Sequence, residues 1–160
     1  MDEDQIAQLL KSDRFTRKYF VGVFSRTHIT IAKKLPAIYV INLDNYGSPG
    51  FHWIAVYVDH KTINIFDSFG GNFLNDPKFA SFINYCKNKN QKLVSSPNVI
   101  QGAFSSTCGL YCILFAMIMA RKKSFKDFLS IFKNNDPRSN DIAISKFFKT
   151  SYNIKLQNLV

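Results

Sequence analysis

Apolar positions along the chain follow two periods, and the switches between them mark out its elements. Residues 3 to 11 place Ile6, Leu9 and Leu10 on one side of a short helix whose first turn carries acids, where they complement the helix dipole. Tyr19 to Phe24 and Leu35 to Leu43 predict strands, the second rich in β-branched and aromatic residues and poor in charge. Residues 44 to 50 form a dense turn signal. The runs FHWIAVYV and KTINIFD, joined by a turn at Asp59-His60, predict a hairpin. A helix is expected over residues 77 to 90 from Pro77, then a short strand from Lys92 to Ser95. Ser95 to Thr107 has loop chemistry, and Cys108 to Lys123 reads as a buried helix closed by Arg121, Lys122 and Lys123. Two amphipathic stretches, near 124–133 and 139–149, complete an α+β domain with a central mixed or antiparallel sheet and helices at both ends.

A length of 160 residues suits one domain spanning 1–160, so every candidate side chain is available to one site. The acidic start, MDEDQIAQLL, lacks the layout of a secretory signal, and the longest apolar run, Leu110 to Ala120, is short of the roughly 20 residues of a membrane helix. An intracellular protein without a membrane partner is expected. Three cysteines, Cys86, Cys108 and Cys112, are too few and oddly counted for a disulfide framework, so reduced thiols are expected. The formal charge of +10 admits nucleic acid as a partner, although a lysine-rich solvated surface would give the same number. The basic residues gather at Arg14, Arg17 and Lys18, at Lys33 and Lys34, at Lys87, Lys89 and Lys92, and at Arg121, Lys122 and Lys123. Whether they share a face is not legible in the sequence.

The hairpin brings in chemistry. With its turn at Asp59-His60, Val58 faces Lys61 and His52 faces Asp67 on one side of the sheet. A carboxylate beside an imidazole fixes its tautomer and stabilises the imidazolium, as a general base requires. Cys108 stands where a Ser/Thr-rich loop enters an apolar helix, with Ser106 or Thr107 as the expected N-cap. The positive end of the helix dipole favours a nucleophilic thiolate there, and Gly109 lets another backbone approach. Gln101, seven residues earlier and followed by Gly102, can donate to an oxyanion together with the Cys108 backbone N–H. Each of these has an ordinary reading taken alone: a surface His/Asp pair, an inert small residue, a loop amide. Their combination carries the chemistry. Cys86 and Cys112 fit the inert reading, His60 lies in the expected turn, and His28 has no acid nearby in sequence. No CxxC, HExxH or Gly-rich phosphate loop is present, so no metal or other cofactor is expected for the chemistry itself.

The words Phe51-His52-Trp53, Phe66-Asp67-Ser68-Phe69-Gly70, Gln101-Gly102 and Cys108-Gly109-Leu110-Tyr111-Cys112, in that order, resemble the adenovirus maturation proteases, the adenain type. More loosely they resemble the Ulp/SENP peptidases that remove SUMO, and the similarity covers roughly residues 15 to 120. The resemblance implies a papain-like-superfamily cysteine peptidase fold with the nucleophile opening a buried helix. It implies His52 as base, Asp67 as orienting acid, Gln101 as oxyanion donor and Cys108 as nucleophile, with Trp53 and Gly109 lining the substrate cleft. It further implies an endopeptidase that cleaves after small residues, usually glycine, and processes virion precursors; a monomer is expected. It would be associated with the virion in host cytoplasm or nucleus and have viral DNA as a possible activator.

The chain departs from the pattern in three places. Asp67 stands where adenovirus enzymes carry Glu, although SUMO peptidases carry Asp. Thr107 precedes the nucleophile where SUMO peptidases carry Asp. No cysteine follows Ser95-Ser96-Pro97-Asn98-Val99, so activation by a disulfide-tethered peptide is not expected. The alternatives are a deconjugase for ubiquitin-like proteins or an acyltransferase built on the same triad, and a non-catalytic DNA-binding, capsid-associated protein on the same fold.

Overall fold

The strands of the computed structural model, which describes residues 1–43, 52–71, 76–87 and 91–152, form one mixed sheet in the order β1-β2-β3-β4-β5. They are β1 (Phe20–Ser25), β2 (Ala37–Asn42), β3 (Trp53–Val58), β4 (Thr62–Phe66) and β5 (Lys92–Ser95). The central pairs β2/β3 and β3/β4 are antiparallel, whereas β1 and β5 run parallel to their neighbours at the edges. The α+β class and its mixed sheet are therefore as the sequence predicts. The dense turn signal at 44 to 50 lies outside the described residues, as does Phe51.

The pleat sorts β3 into two cores. Trp53, Ala55 and Tyr57 join the cluster under α1 (Glu3–Ser12), α3 (Cys108–Ala120), α4 (Phe125–Leu129) and α5 (Pro137–Tyr152). Ile54, Val56 and Val58 join the opposite cluster under α2 (Pro77–Cys86), which contributes Phe79, Phe82 and Ile83. Burial on both faces explains why the hairpin strands read as continuous apolar runs rather than alternating ones. Phe66 on β4 meets Phe115 of α3 and Phe128 of α4 at centroid distances of 5.3 and 4.7 Å, which fixes these helices against the strand that ends at Asp67.

The predicted turn was one residue early. Val58 pairs with Ile63, and the turn falls at His60-Lys61. Asp59 decides this, because its carboxylate accepts the backbone N–H of Lys61 and of Thr62, each at 2.7 Å, and closes the turn from outside. Facing partners thus move by two residues, which preserves side-chain parity. The paired ladder ends at Ala55 and Phe66, so His52 and Asp67 lie beyond it and their meeting is set by the turn after β4 instead of by direct pairing.

Helix ends follow local chemistry. Asp2 and Gln5 form a reciprocal capping box that opens α1, and Ser124 and Asp127 form another that opens α4. The helix α1 buries Ile6 and Leu10, the packing role expected of it. The amphipathic stretches near 124–133 and 139–149 become a one-turn α4 and a longer α5, whose start at Pro137 suits a residue without a backbone donor. Among the described residues no helix is long and apolar enough to cross a membrane.

Candidate active site

His52 and Asp67 flank the open end of the β3/β4 ladder, one residue beyond Trp53 and Phe66, where strand alternation no longer dictates their direction. The Asp67 side chain is only 2% exposed. Its Oδ1 accepts the His52 Nε2–H at 2.6 Å and the Phe69 backbone N–H at 2.9 Å, and its Oδ2 accepts the Gly71 N–H at 2.7 Å. Two backbone amides thus fix the carboxylate before it fixes the imidazole. Phe69 lies against the His52 ring at 4.8 Å between centroids.

This arrangement turns the other ring nitrogen, Nδ1, inward. Nδ1 is buried and makes no conventional hydrogen bond, and the group acting on the ring from beyond Asp67 is the Cys108 thiol. Burial by itself pushes the imidazole toward neutrality. The hydrogen bond and charge of Asp67, together with the neighbouring Cys108, outweigh it and raise His52 to about 9. The resting imidazole therefore carries a proton at neutral pH.

Cys108 is buried and is the first residue of α3. Thr107 occupies the N-cap position but provides no side-chain cap, contrary to the sequence expectation. Its hydroxyl donates instead to the Asp141 carboxylate at 2.9 Å, because a buried charged acceptor is a stronger partner than a helix amide. Gly109 is buried beneath α1: an added Cβ would lie 3.3 Å from Ile6 Cδ1 and 3.4 Å from Met1 Cβ. Trp53 packs in the same place, its indole N–H donating to the Met1 carbonyl at 3.3 Å. Trp53 and Gly109 thus meet beside Cys108, but as a floor covered by the N-terminal segment, since a large indole is held best where apolar surface surrounds it.

Gln101 is fully buried, and its amide orientation is set by two partners. Its Oε1 accepts the Ser68 hydroxyl at 2.6 Å, and its Nε2 donates one N–H to the Ser105 carbonyl at 2.6 Å. The Ser68 carbonyl in turn accepts the backbone N–H of Ile100 and Gln101 at 2.9 and 3.2 Å. The turn that carries Asp67 and the loop that carries Gln101 are one hydrogen-bonded unit. Gly70 permits this approach, with φ +68° and a site where a Cβ would fall 2.7 Å from the Pro97 carbonyl oxygen.

The fold thus brings His52, Asp67, Cys108 and the Gln101 loop together from four places in the chain. His28 and His60 are exposed and apart from this group. Among the described residues no three His, Cys, Asp or Glu side chains gather as a metal site would require. Sequence reading missed Asn140 and Asp141, buried on α5 and bonded into the 100–107 loop, because nothing in their spacing points 40 residues back. It also passed over Phe104, which that loop holds fully exposed four residues before Cys108.

The family described as adenovirus endoprotease matches the chain over residues 20–147. The central domain of an uncharacterized Legionella pneumophila protein is similar in structure at a TM-score of 0.51 and 13% identity, covering 94% of this chain and 97% of that one, which supports the fold. A protease of ASFV has a TM-score of 0.49 and 19% identity over 62% of this chain. The match spans only 40% of the ASFV protease. An effector protein of Rickettsia bellii has a TM-score of 0.43 and 17% identity, covering 74% of this chain and 47% of that chain.

Thiol selectivity follows from this geometry. Burial pushes the Cys112 thiol well above its ordinary range and the Cys86 thiol up to about 11, so neither supplies thiolate near neutral pH. Iodoacetamide at pH 7 is therefore expected to alkylate Cys108 first, as read by peptide mapping. Equal rates at Cys86 or Cys112 would mean that another thiol is the reactive one.

A second expectation concerns stability. The folded-state pKa of His52, about 9, exceeds its ordinary 6.5, so its contribution is fully present below about pH 6.5 and is lost as pH rises through about 9. Urea unfolding of the wild type and His52→Ala across this window should show the wild-type advantage shrinking with pH. An advantage constant from pH 6 to 10 contradicts the protonated imidazole.

Proposed function

Because the chain belongs to the adenovirus endoprotease family of cysteine peptidases, we propose that it hydrolyses peptide bonds after small residues, with Cys108, His52, Asp67 and Gln101 as its machinery. The observation that carries this reading is the imidazole held between two groups: Nε2 on the Asp67 carboxylate at 2.6 Å and the opposite side against Cys108.

The chemistry then runs in two halves. The Cys108 sulfur attacks the scissile carbonyl carbon, a C–S bond forms, and the carbonyl oxygen becomes an oxyanion. The Gln101 side-chain N–H left over from its bond to Ser105, and the Cys108 backbone N–H, stabilise that charge. His52 gives its proton to the leaving amine as the C–N bond breaks, which leaves a thioester. His52, now neutral, takes a proton from water as its oxygen attacks the thioester; the C–S bond breaks, the acid is released, and the sulfur returns as the thiolate beside the reprotonated His52. Asp67 stays ionised throughout and keeps the ring in the tautomer both halves need.

As the substrate class we propose virion precursor proteins, on the resemblance to maturation proteases, and as an activator duplex DNA. The charge of +10 supports the second point, and so does its distribution. Two of the basic clusters meet in the fold: Arg121 pairs with Asp13 at 2.6 Å, and the guanidinium groups of Arg121 and Arg14 both lie over the Phe15 ring, at 4.6 and 4.7 Å. Lys11, Arg14, Arg17, Lys18, Lys122 and Lys123 are exposed around this junction.

On a fluorogenic Gly-Gly or Gly-X peptide, Cys108→Ala and His52→Ala should abolish turnover, and Asp67→Asn should leave a partial rate. Gln101→Ala should lose on the order of 10²-fold in kcat. Unchanged turnover in a folded His52→Ala protein refutes the mechanism, and a preference for SUMO or ubiquitin conjugates over these peptides would make the enzyme a deconjugase. Mass spectrometry of co-expressed capsid precursors with the wild type and Cys108→Ala identifies the cleaved substrates.

For DNA, binding should be insensitive to sequence and should weaken with salt at a log–log slope of about −0.9 per phosphate contacted on the duplex. Peptide turnover should rise when DNA is added at low ionic strength. A titration showing neither binding nor stimulation removes DNA from the account.

A further inference from the structure

A buried carboxylate outside the proposed machinery organises the loop between Gln101 and Cys108. Asp141, on the first turns of α5, is 5% exposed. Its Oδ2 accepts the Gly102 backbone N–H at 3.0 Å, and its Oδ1 accepts the hydroxyls of Thr107 and Tyr111, each at 2.9 Å. Burial and the charge of Asp141 push the Tyr111 phenol upward, so it remains a neutral donor. Because Thr107 gives its proton to Asp141, the 2.7 Å contact between the Ser105 and Thr107 hydroxyls runs from Ser105 to Thr107. The neighbouring Asn140 donates to the Ile100 carbonyl at 3.1 Å. The loop is thus tied to α5 at residues 100, 102 and 107, and Tyr111 ties the first turn of α3 to the same oxygen.

Two details go beyond packing. The Cβ of any residue at 102 would lie 2.8 Å from Asp141 Oδ2, so the close approach of loop and carboxylate requires glycine beside Gln101. Thr107 stands at the N-cap of α3 without capping it, because Asp141 draws its hydroxyl away from the first-turn amides. A buried carboxylate adds little net stability compared with an apolar replacement, but it imposes directional bonds that an apolar residue cannot.

We propose that Asp141 is a positioning residue for hydrolysis. It holds the 101–107 loop so that the Gln101 amide and the Cys108 backbone N–H converge on the oxyanion, and it keeps the Thr107 hydroxyl from capping the amides at that helix end. This rests on the cysteine-peptidase reading given above.

The test compares Asp141→Ala, Asp141→Asn and Gly102→Ala with the wild type on a fluorogenic Gly-Gly peptide. Cys108 alkylation by iodoacetamide, which forms no oxyanion, is followed in parallel. Asp141→Ala should lower kcat on the order of 10²-fold, the loss typical of one oxyanion donor, with KM and alkylation rate within about 2-fold of wild type. Asp141→Asn, which keeps one acceptor oxygen, should recover part of kcat. In a double-mutant cycle, Asp141→Ala should add little to Gln101→Ala, because both act on the same charge. If Asp141→Ala does not fold, Asp141→Asn and Gly102→Ala decide the matter by the same split between kcat and alkylation. Wild-type kcat in the folded variants, additivity with Gln101→Ala, or a parallel fall in alkylation overturns the proposal. A wild-type protein that hydrolyses no peptide and shows no selective alkylation at Cys108 overturns the underlying reading instead.

Discussion

The hydrogen bond between the buried Asp67 carboxylate and His52 Nε2 is the constraint on which the proposed site depends. An imidazole has only two nitrogens, so committing one to a fixed acceptor decides where the other points. Here the other nitrogen is buried, and Cys108 at the start of α3 is the further group that acts on the ring. The carboxylate can do this because the Phe69 and Gly71 amides hold it, so the cost of removing it from water is offset by directional donors. A shorter acid at this position than the adenovirus pattern carries is compatible with the role, since the turn after β4 brings its backbone to the ring.

The site is built on a buried polar network laid over an apolar base. Ser68 joins the acid turn to Gln101, Gln101 joins Ser105, and Ser105 leads through Thr107 to Asp141 and α5. Each member has a partner, which is the condition under which such a network rigidifies a site rather than weakening the core. Beneath it, α3 presents an apolar surface on nearly every side, and the Phe66, Phe115 and Phe128 rings lock it to the strand that delivers Asp67. Movement of α3 relative to β4 would separate Cys108 from His52 and Asp67, so the aromatic cluster and this group of side chains depend on the same packing.

Electrostatics act here at two ranges. Within the site, charge is paired at hydrogen-bond distance and raises the imidazole despite burial. Across the surface, the Arg121–Asp13 pair joins basic segments that are 108 residues apart in sequence, with their lysines left exposed. The first range sets protonation and survives salt. The second is long-ranged and screened by salt.

What the sequence determined by itself was the order and local setting of the chemistry. His52 stands before a β-branched strand, Asp67 follows the next one, and Cys108 opens an apolar helix. Each is a matter of periodicity and neighbours within a few residues. The hairpin was legible for the same reason, and its turn was misplaced by one residue because Asp59 closes the turn with side-chain bonds that periodicity does not encode. Only the tertiary structure decided that Trp53 and Gly109 lie under the N-terminal segment, that Thr107 serves Asp141 instead of capping α3, and that two basic clusters meet. These depend on contacts between residues tens of positions apart, chosen by which groups are buried together, and no local pattern specifies them.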